Sequence, residues 1–359
     1  MRNRRRSGNS NSLVWTVLLV ALTIVVVIVA VIAVVKKDKT PHNSIGNIQQ
    51  TEESEESEET EEMHSGYKMD TFVIFGVDSR KNELGKGTSS DSIMLVSMNH
   101  DLQEVRVVSI LRDTFADTVE FGFEKLTYAY NYGGVKSALN TLNTNYDLNL
   151  KKYATFNFNS AGDIVDKLGG IEMEITPDEA LYINAYIDEV NKLRGTKSKH
   201  ITEAGTYVLD GTQTVAYSRI RYTDGAEVKR SERQRTVLFK MFQKTKNLGG
   251  VERVEMAEEF MDRIKTNFST DKMTSLMYLM SQYEIKEMTV YPQQFYNGLI
   301  GEEWFQAPTT LIDMNRELHK VLLLEEDYVP SETVKDISAR IEKILENPEA
   351  GKDQLDEIQ

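Results

Sequence analysis

The sequence predicts an α/β protein, a mixed central sheet covered by helices and held behind one N-terminal transmembrane helix. Three observations carry this. Residues 13–35 are an uncharged apolar run interrupted only by Thr16 and Thr23. From residue 71 to residue 246, short apolar runs suited to buried strands alternate with segments of helical spacing. Two of those strands are separated by the polar Asn99-His100-Asp101, a hairpin signal that makes the sheet mixed and not purely parallel.

At 1.5 Å per residue the first run spans roughly 34 Å, enough for a hydrocarbon core. It is longer than a secretory signal's apolar region and ends without an Ala-x-Ala cleavage pattern, so an uncleaved anchor is expected. Arg2, Arg4, Arg5 and Arg6 precede it, and residues 1–12 read as a cytoplasmic basic tail. Residues 36–66 read as a spacer, because their run of glutamates has little to pack and much to repel. Everything from there on is then expected outside the cell membrane.

The main domain is expected over residues 67–329. Strands are predicted at residues 71–77, 92–98, 104–110, 153–157, 171–175 and 287–291. Helices are predicted at 134–146, 161–168, 177–193 and 231–246. Residues 330–359 read as a charged peripheral tail. The chain has no cysteine, which excludes disulfides, thiol catalysis and Cys-based metal sites. Of its net charge of −14, residues 63–359 carry −12. So acidic a domain makes a poor nucleic-acid binder.

The chemistry gathers at strand ends. The first strand runs into Asp78, and a polar loop leads to Asp91 at the start of the second. Two carboxylates on neighbouring strands suit Mg²⁺, which completes its shell with water and phosphate; each also reads as a turn cap. Arg112 and Asp113 end the third strand. Further on, Arg219, Arg221, Arg230, Arg233 and Arg235 fall within 17 residues. If extended, Arg219 and Arg221 share one face. If helical, Arg230, Arg233 and Gln234 share a face and Arg235 turns away. Guanidinium forks match phosphate oxygens, so a pyrophosphate site is expected. The competing reading pairs these arginines with Glu227 and Glu232 on a solvated face.

FVIFGVDSR, SSDSIMLVSMN, VSILRDT, KLTYAYNYGG, LDGTQTVAYSRIRYTD and KRSERQR stand in an order and spacing that resembles the LytR–CpsA–Psr family. The resemblance covers about residues 70–245 and the anchor arrangement. It implies a three-layer α/β/α sandwich on the outer face of a Gram-positive cell membrane. It implies transfer of a glycopolymer, such as a teichoic acid or capsular polysaccharide, from a polyprenyl pyrophosphate carrier to peptidoglycan, with Mg²⁺ as cofactor and a phosphodiester as product. Carried over by motif, Asp78 and Asp91 match the Mg²⁺-associated aspartates and Arg112 a catalytic arginine. Lys125, Arg219, Arg221, Arg230, Arg233 and Gln234 match the pyrophosphate-binding set. Asp113 and Asp224 are the candidate bases for the attacking hydroxyl. Ser89 stands where the family commonly has an arginine. A lipid tail needs a long apolar slot, for which the helices around 135–142 and 237–242 are candidates. A binding protein without turnover, or a pyrophosphatase, would use the same pocket.

Overall fold

The computed structural model describes residues 62–79, 83–222, 226–245 and 248–352. All of them belong to the unit Glu59–Gln359. The predicted anchor at 13–35, nearly all of the acidic spacer, and Asp224 lie outside the described residues. Among the described residues no helix is long and apolar enough to cross a membrane.

In chain order come β1 (Glu62–His64), β2 (Tyr67–Asp78), β3 (Ser89–Asn99), β4 (Glu104–Ile110), β5 (Phe115–Asp117), β6 (Phe123–Lys125) and α1 (Leu126–Tyr146). Next are β7 (Lys152–Asn157), α2 (Phe158–Lys167), β8 (Ile171–Ile175), α3 (Pro177–Arg194), β9 (Gly205–Leu209), α4 (Gly211–Arg219) and α5 (Ala226–Thr245). The last third holds α6 (Gly250–Arg263), β10 (Lys265–Thr266), α7 (Thr270–Gln282), β11 (Glu284–Tyr291), β12 (Phe295–Ile300), β13 (Glu303–Pro308), α8 (Leu311–Leu323) and α9 (Glu332–Glu346).

The central sheet runs β10-β7-β2-β3-β4-β11, with β1 added to β2. It is mixed, as predicted: β2, β3 and β4 form antiparallel pairs, while β7 joins β2 and β11 joins β4 in parallel. Alternation along β2 and β3 sends side chains to two cores. Val73, Phe75, Ile93 and Leu95 face α1, α8 and α9. Phe72, Ile74, Met94 and Val96 face α5, α6 and α7. Both faces are therefore apolar, which explains why β2 reads as a continuous hydrophobic run. Each such side chain contributes roughly 1.5–3 kcal/mol by leaving water.

Four expectations change. β1 pairs with Tyr67–Met69 of β2, so ordered structure begins inside the segment read as spacer. β8 lies outside the central sheet and pairs only with β9 in a separate ribbon. Its alternating burial fits one covered face, with Ile171, Met173 and Ile175 packed on α3 and α4. Helix α1 starts eight residues before the predicted start and passes through a kink at Gly134, whose φ of 75° suits glycine. Finally, the charged tail is not peripheral. Val334, Ile337, Ile341 and Ile344 form a 3-4-3 stripe that is buried against the core. Ile341→Ala should therefore destabilise the protein by about 2–5 kcal/mol in urea unfolding. A peripheral tail would give a change within about 0.5 kcal/mol.

Candidate functional site

The site is organised by an irregularity between β2 and β3. Their register holds as far as Gly76 opposite Ser92, then shifts so that Val77 faces Ser90. Asp91 is the extra residue of this bulge. Bulges interrupt alternation and re-aim a side chain. Gly76 permits the close approach, since a Cβ there would stand 3.0 Å from the Ser92 Cβ.

Asp91 is buried among three guanidinium groups. Its Oδ1 accepts a hydrogen bond from Arg112 Nη1 at 2.6 Å. Its Oδ2 lies 3.2 Å from Arg230 Nη1 and 3.6 Å from Arg221 Nη2. Its backbone carbonyl accepts from Arg230 Nη2 at 3.0 Å. Glu227, one turn before Arg230 on α5, closes the group. It bonds Arg230 directly and lies 3.4 Å from Arg112 Nε and 3.9 Å from Arg221 Nε. Asp113 stands 3.5 Å from Arg112 Nε.

Burial and charge compete here. Burial alone would raise the Asp91 carboxyl, but Arg112 and Arg230 outweigh it and hold the group below the usual carboxylate range. Burial opposes the charge on Arg112, yet Asp91, Asp113 and Glu227 leave it harder to deprotonate than usual. Arg230 is more deeply buried, and there desolvation wins, so its affinity for a proton falls. Because the folded state depresses the Asp91 pKa, its stabilisation is full above the unfolded value of about 4. It is lost as pH falls through the lower folded value. Asp91→Asn should flatten the acid limb of a stability–pH profile below about pH 4; an unchanged limb would contradict the ion pairing.

The structure brings Asp91, Arg112, Asp113, Arg221 and Arg230 together and distributes the other candidate residues. Gln234 faces the cavity described below. Arg219 ends helix α4, so the extended geometry shared with Arg221 does not occur. It bonds Glu189 at 3.0 Å and lies over the Phe158 ring, with Nη1 buried and unbonded. Arg233 reaches Glu179 and Ile220. Its Nε donates to Glu179 at 2.8 Å and its Nη1 to the Ile220 carbonyl at 3.0 Å, tying α5 to α3 and to the end of α4. Arg235 does turn from this group, but into the protein and not into solvent. It donates to Ser109 Oγ at 3.1 Å, and burial pushes its pKa down to about 10. The Lys125 ammonium sits 5.8 Å from the Tyr128 ring centre and 5.4 Å from that of Phe305, on the Asp113 side of the site. Asp78 is exposed at the end of β2. Ser89 Oγ accepts from Asn131 Nδ2 at 3.4 Å.

Glu227 was legible only as a surface partner of the arginines. The pairing is real, but it is nearly enclosed and not a solvated face. The crowded arginines are balanced by internal carboxylates and do not require an external anion to coexist.

Beside this group opens an apolar cavity of about 140 Å³, continuous with solvent, between the sheet and α2, α4, α5, α6 and α7. Asp91 and Gln234 stand at its polar end, and Phe72, Ile74 and Met94 form its floor. One predicted slot helix is there, presenting Val237, Leu238, Met241 and Phe242. The other is not. Ala138 and Leu142 belong to the core on the opposite sheet face. The missing wall is α7, whose Met273, Leu276, Met277 and Met280 recur at helical spacing. Flexible methionines suit a lining that must adapt to its occupant.

Asp78 and Asp91 supply oxygen donors of the kind Mg²⁺ takes. No group of three or more metal-ligating side chains occurs among the described residues. A cation here would therefore keep most of its shell as water and phosphate oxygen.

A carboxylate–guanidinium cluster beside an apolar cavity, on a mixed α/β sheet, defines the site. The chain belongs to the LytR_cpsA_psr family, whose sequence profile matches residues 32–320. It is 29% identical over 181 residues to the polyisoprenyl-teichoic acid–peptidoglycan teichoic acid transferase TagT of Bacillus subtilis (strain 168), covering 50% of this chain and 53% of that protein. It is 28% identical over 206 residues to TagU of Bacillus cereus, covering 56% and 62%. The matched region is thus less than two thirds of each relative's length. Among solved structures, TagT bound to LIIa-WTA has a TM-score of 0.56 at 23% identity, covering 71% of this chain and 91% of that one. TagT with bound octaprenyl pyrophosphate lipid has a TM-score of 0.52 at 23% identity, covering 70% and 90%. These likenesses establish the shared fold.

Proposed function

We propose that this protein transfers a glycopolymer from a polyprenyl pyrophosphate carrier to peptidoglycan. The observation that carries the reading is the Asp91–Arg112–Arg230 cluster at the polar end of the apolar cavity. The lipid lies along Val237, Leu238 and Met277, and its pyrophosphate meets Arg112, Arg221 and Arg230. The names of the TagT and TagU relatives support the same substrate class.

The reaction is a displacement at phosphorus. A sugar hydroxyl of peptidoglycan attacks the phosphorus that bears the polymer. The new P–O bond makes the phosphodiester, the bridging P–O bond breaks, and polyprenyl monophosphate leaves with that electron pair. Asp113, at the rim beside Arg112, takes the hydroxyl proton. Phosphoryl transfer asks for positioning and charge stabilisation more than covalent chemistry. The fixed guanidiniums supply both in a site with little water. Asp91 and Glu227 hold the arginines in place before the substrate arrives. Asp78 and Asp91 would hold Mg²⁺, which when bound would neutralise diphosphate charge. The apolar run 13–35 anchors the chain with its N-terminus inside the cell and the domain outside. Added protease should therefore digest the domain on intact wall-stripped cells.

The test is to mix the full-length protein with a polyprenyl-pyrophosphate-linked polymer, Mg²⁺ and peptidoglycan. The expected result is lipid monophosphate released in step with polymer joined to peptidoglycan. Release without acceptor would make the protein a pyrophosphatase. Binding with no release would make it a retention protein.

A further inference from the structure

On the sheet face opposite the lipid cavity, three aromatic rings form a row, with Phe121 and Tyr132 exposed and Tyr128 half-buried. Phe121 and Tyr132 meet edge to face with centroids 5.4 Å apart, and Tyr132 and Tyr128 follow at 5.3 Å. Phe121 and Tyr132 are each 41% exposed. These rings are held, not loose. The loop carrying Phe121 is closed by Thr118, whose N–H and hydroxyl both donate to the Gly122 carbonyl, at 3.0 and 2.7 Å. The Phe121 N–H donates back to the Thr118 hydroxyl at 3.2 Å. Within this loop Val119 takes a φ of 63°, a strained conformation for a β-branched residue that only an over-determined loop retains. Strain and exposed aromatic surface are both unfavourable for a part of the molecule that only needs to fold.

The row is tied to the reacting end of the site. Thr127 at the start of α1 donates its N–H to the Arg112 carbonyl at 3.0 Å, and Gln306 of β13 donates to the Asp113 carbonyl at 2.9 Å. Burial first, then the charges of Glu303, Glu124 and Asp113, push the Tyr128 phenol up. The Glu120 carboxylate lies over Gly133, beside Tyr132. The rings are thus rimmed by acceptors for hydroxyl groups and by the Lys125 ammonium.

We infer that Phe121, Tyr132 and Tyr128 form a stacking subsite for the sugar rings of the acceptor glycan. The inference rests on the transferase reading and adds where the acceptor lies. Attacking and leaving oxygens stand roughly in line at phosphorus. A lipid phosphate departing on the cavity side therefore requires the hydroxyl to arrive from the face that carries Asp113 and these rings. The rim is mixed in charge: Glu120 and Glu303 offer acceptors for glycan hydroxyls, Glu124 is already paired with Lys352, and the Lys125 ammonium stands beside Tyr128.

The probe is a short, peptide-free peptidoglycan oligosaccharide titrated calorimetrically into the detergent-solubilised full-length protein. Phe121→Ala and Tyr132→Ala should each weaken its binding about five- to tenfold. Tyr132→Phe, which keeps the ring, should stay within about twofold. Polyprenyl pyrophosphate affinity should not change in any of the three. No glycan binding by the wild type, or equal affinity across the variants, overturns the subsite while leaving the transferase reading intact. Loss of affinity for a lipid-free anionic donor polymer in place of the glycan overturns the acceptor assignment, as does a ring-dependent self-association without glycan binding. Ring-dependent glycan binding in a protein that shows no transfer supports the subsite and removes only the transferase reading.

Discussion

Asp91→Ala is expected to abolish transfer and to destabilise the fold by about 3–5 kcal/mol, since removing one partner of a buried ion pair leaves the others uncompensated. Arg112 would lose its Oδ1 partner and Arg230 its Oδ2 partner on the same buried carboxylate. That is a large share of a typical domain's 5–15 kcal/mol, so the measurement is a urea midpoint together with turnover. Asp78→Ala provides the contrast. Its side chain is exposed at the strand end, so stability should stay within about 0.5 kcal/mol. If Asp78 helps to hold Mg²⁺, its loss removes turnover alone. Equal stability of the Asp91→Ala and wild-type proteins would show that the buried cluster is not formed in solution.

Arg230→Ala should have a comparable effect for the mirror reason. Arg230 is 2% exposed and joins Asp91 to Glu227, so its removal leaves two carboxylates facing one another. The expected loss is again about 3–5 kcal/mol, with pyrophosphate affinity lowered about tenfold to a hundredfold. Arg221→Ala separates the two effects. Arg221 is 44% exposed and its contacts with Asp91 and Glu227 are 3.6 and 3.9 Å long. Its loss should leave stability within about 0.5 kcal/mol, because exposed pairs are screened. Affinity should still fall. Arg233→Ala should also destabilise the fold, because it would leave the buried Glu179 carboxylate without its partner. Thermal unfolding of the three variants checks the order.

What was legible in the sequence follows from how local each signal is. The three strands β2, β3 and β4 announce themselves through apolar runs and one tight polar turn, and the antiparallel pairing of β3 with β4 follows from that turn. β8 has an equally good strand pattern, but alternation reports only that one face is covered, not which sheet a strand joins. Helix α9 was hidden by its own surface: Glu332, Lys335, Asp336 and Glu342 dominate its composition, while Val334, Ile337, Ile341 and Ile344 supply the buried stripe. Within the site, residue types pointed to an anion, yet partner choice depends on contacts far apart in the chain. Arg233 finds Glu179 and Arg235 finds Ser109 across 54 and 126 positions. The bulge that sets Asp91 among the arginines leaves no mark in composition. The spacing of α7's methionines was readable, but not its place over the cavity.

The most direct test of the central claim is a crystal structure of the protein with a short-chain polyprenyl pyrophosphate. The account predicts phosphate oxygens within hydrogen-bonding distance of Arg112 and Arg230, and the prenyl chain running from Gln234 past Leu238 towards Met277. A diphosphate seated elsewhere with the cavity empty would contradict it, as would a chain lying on the protein surface.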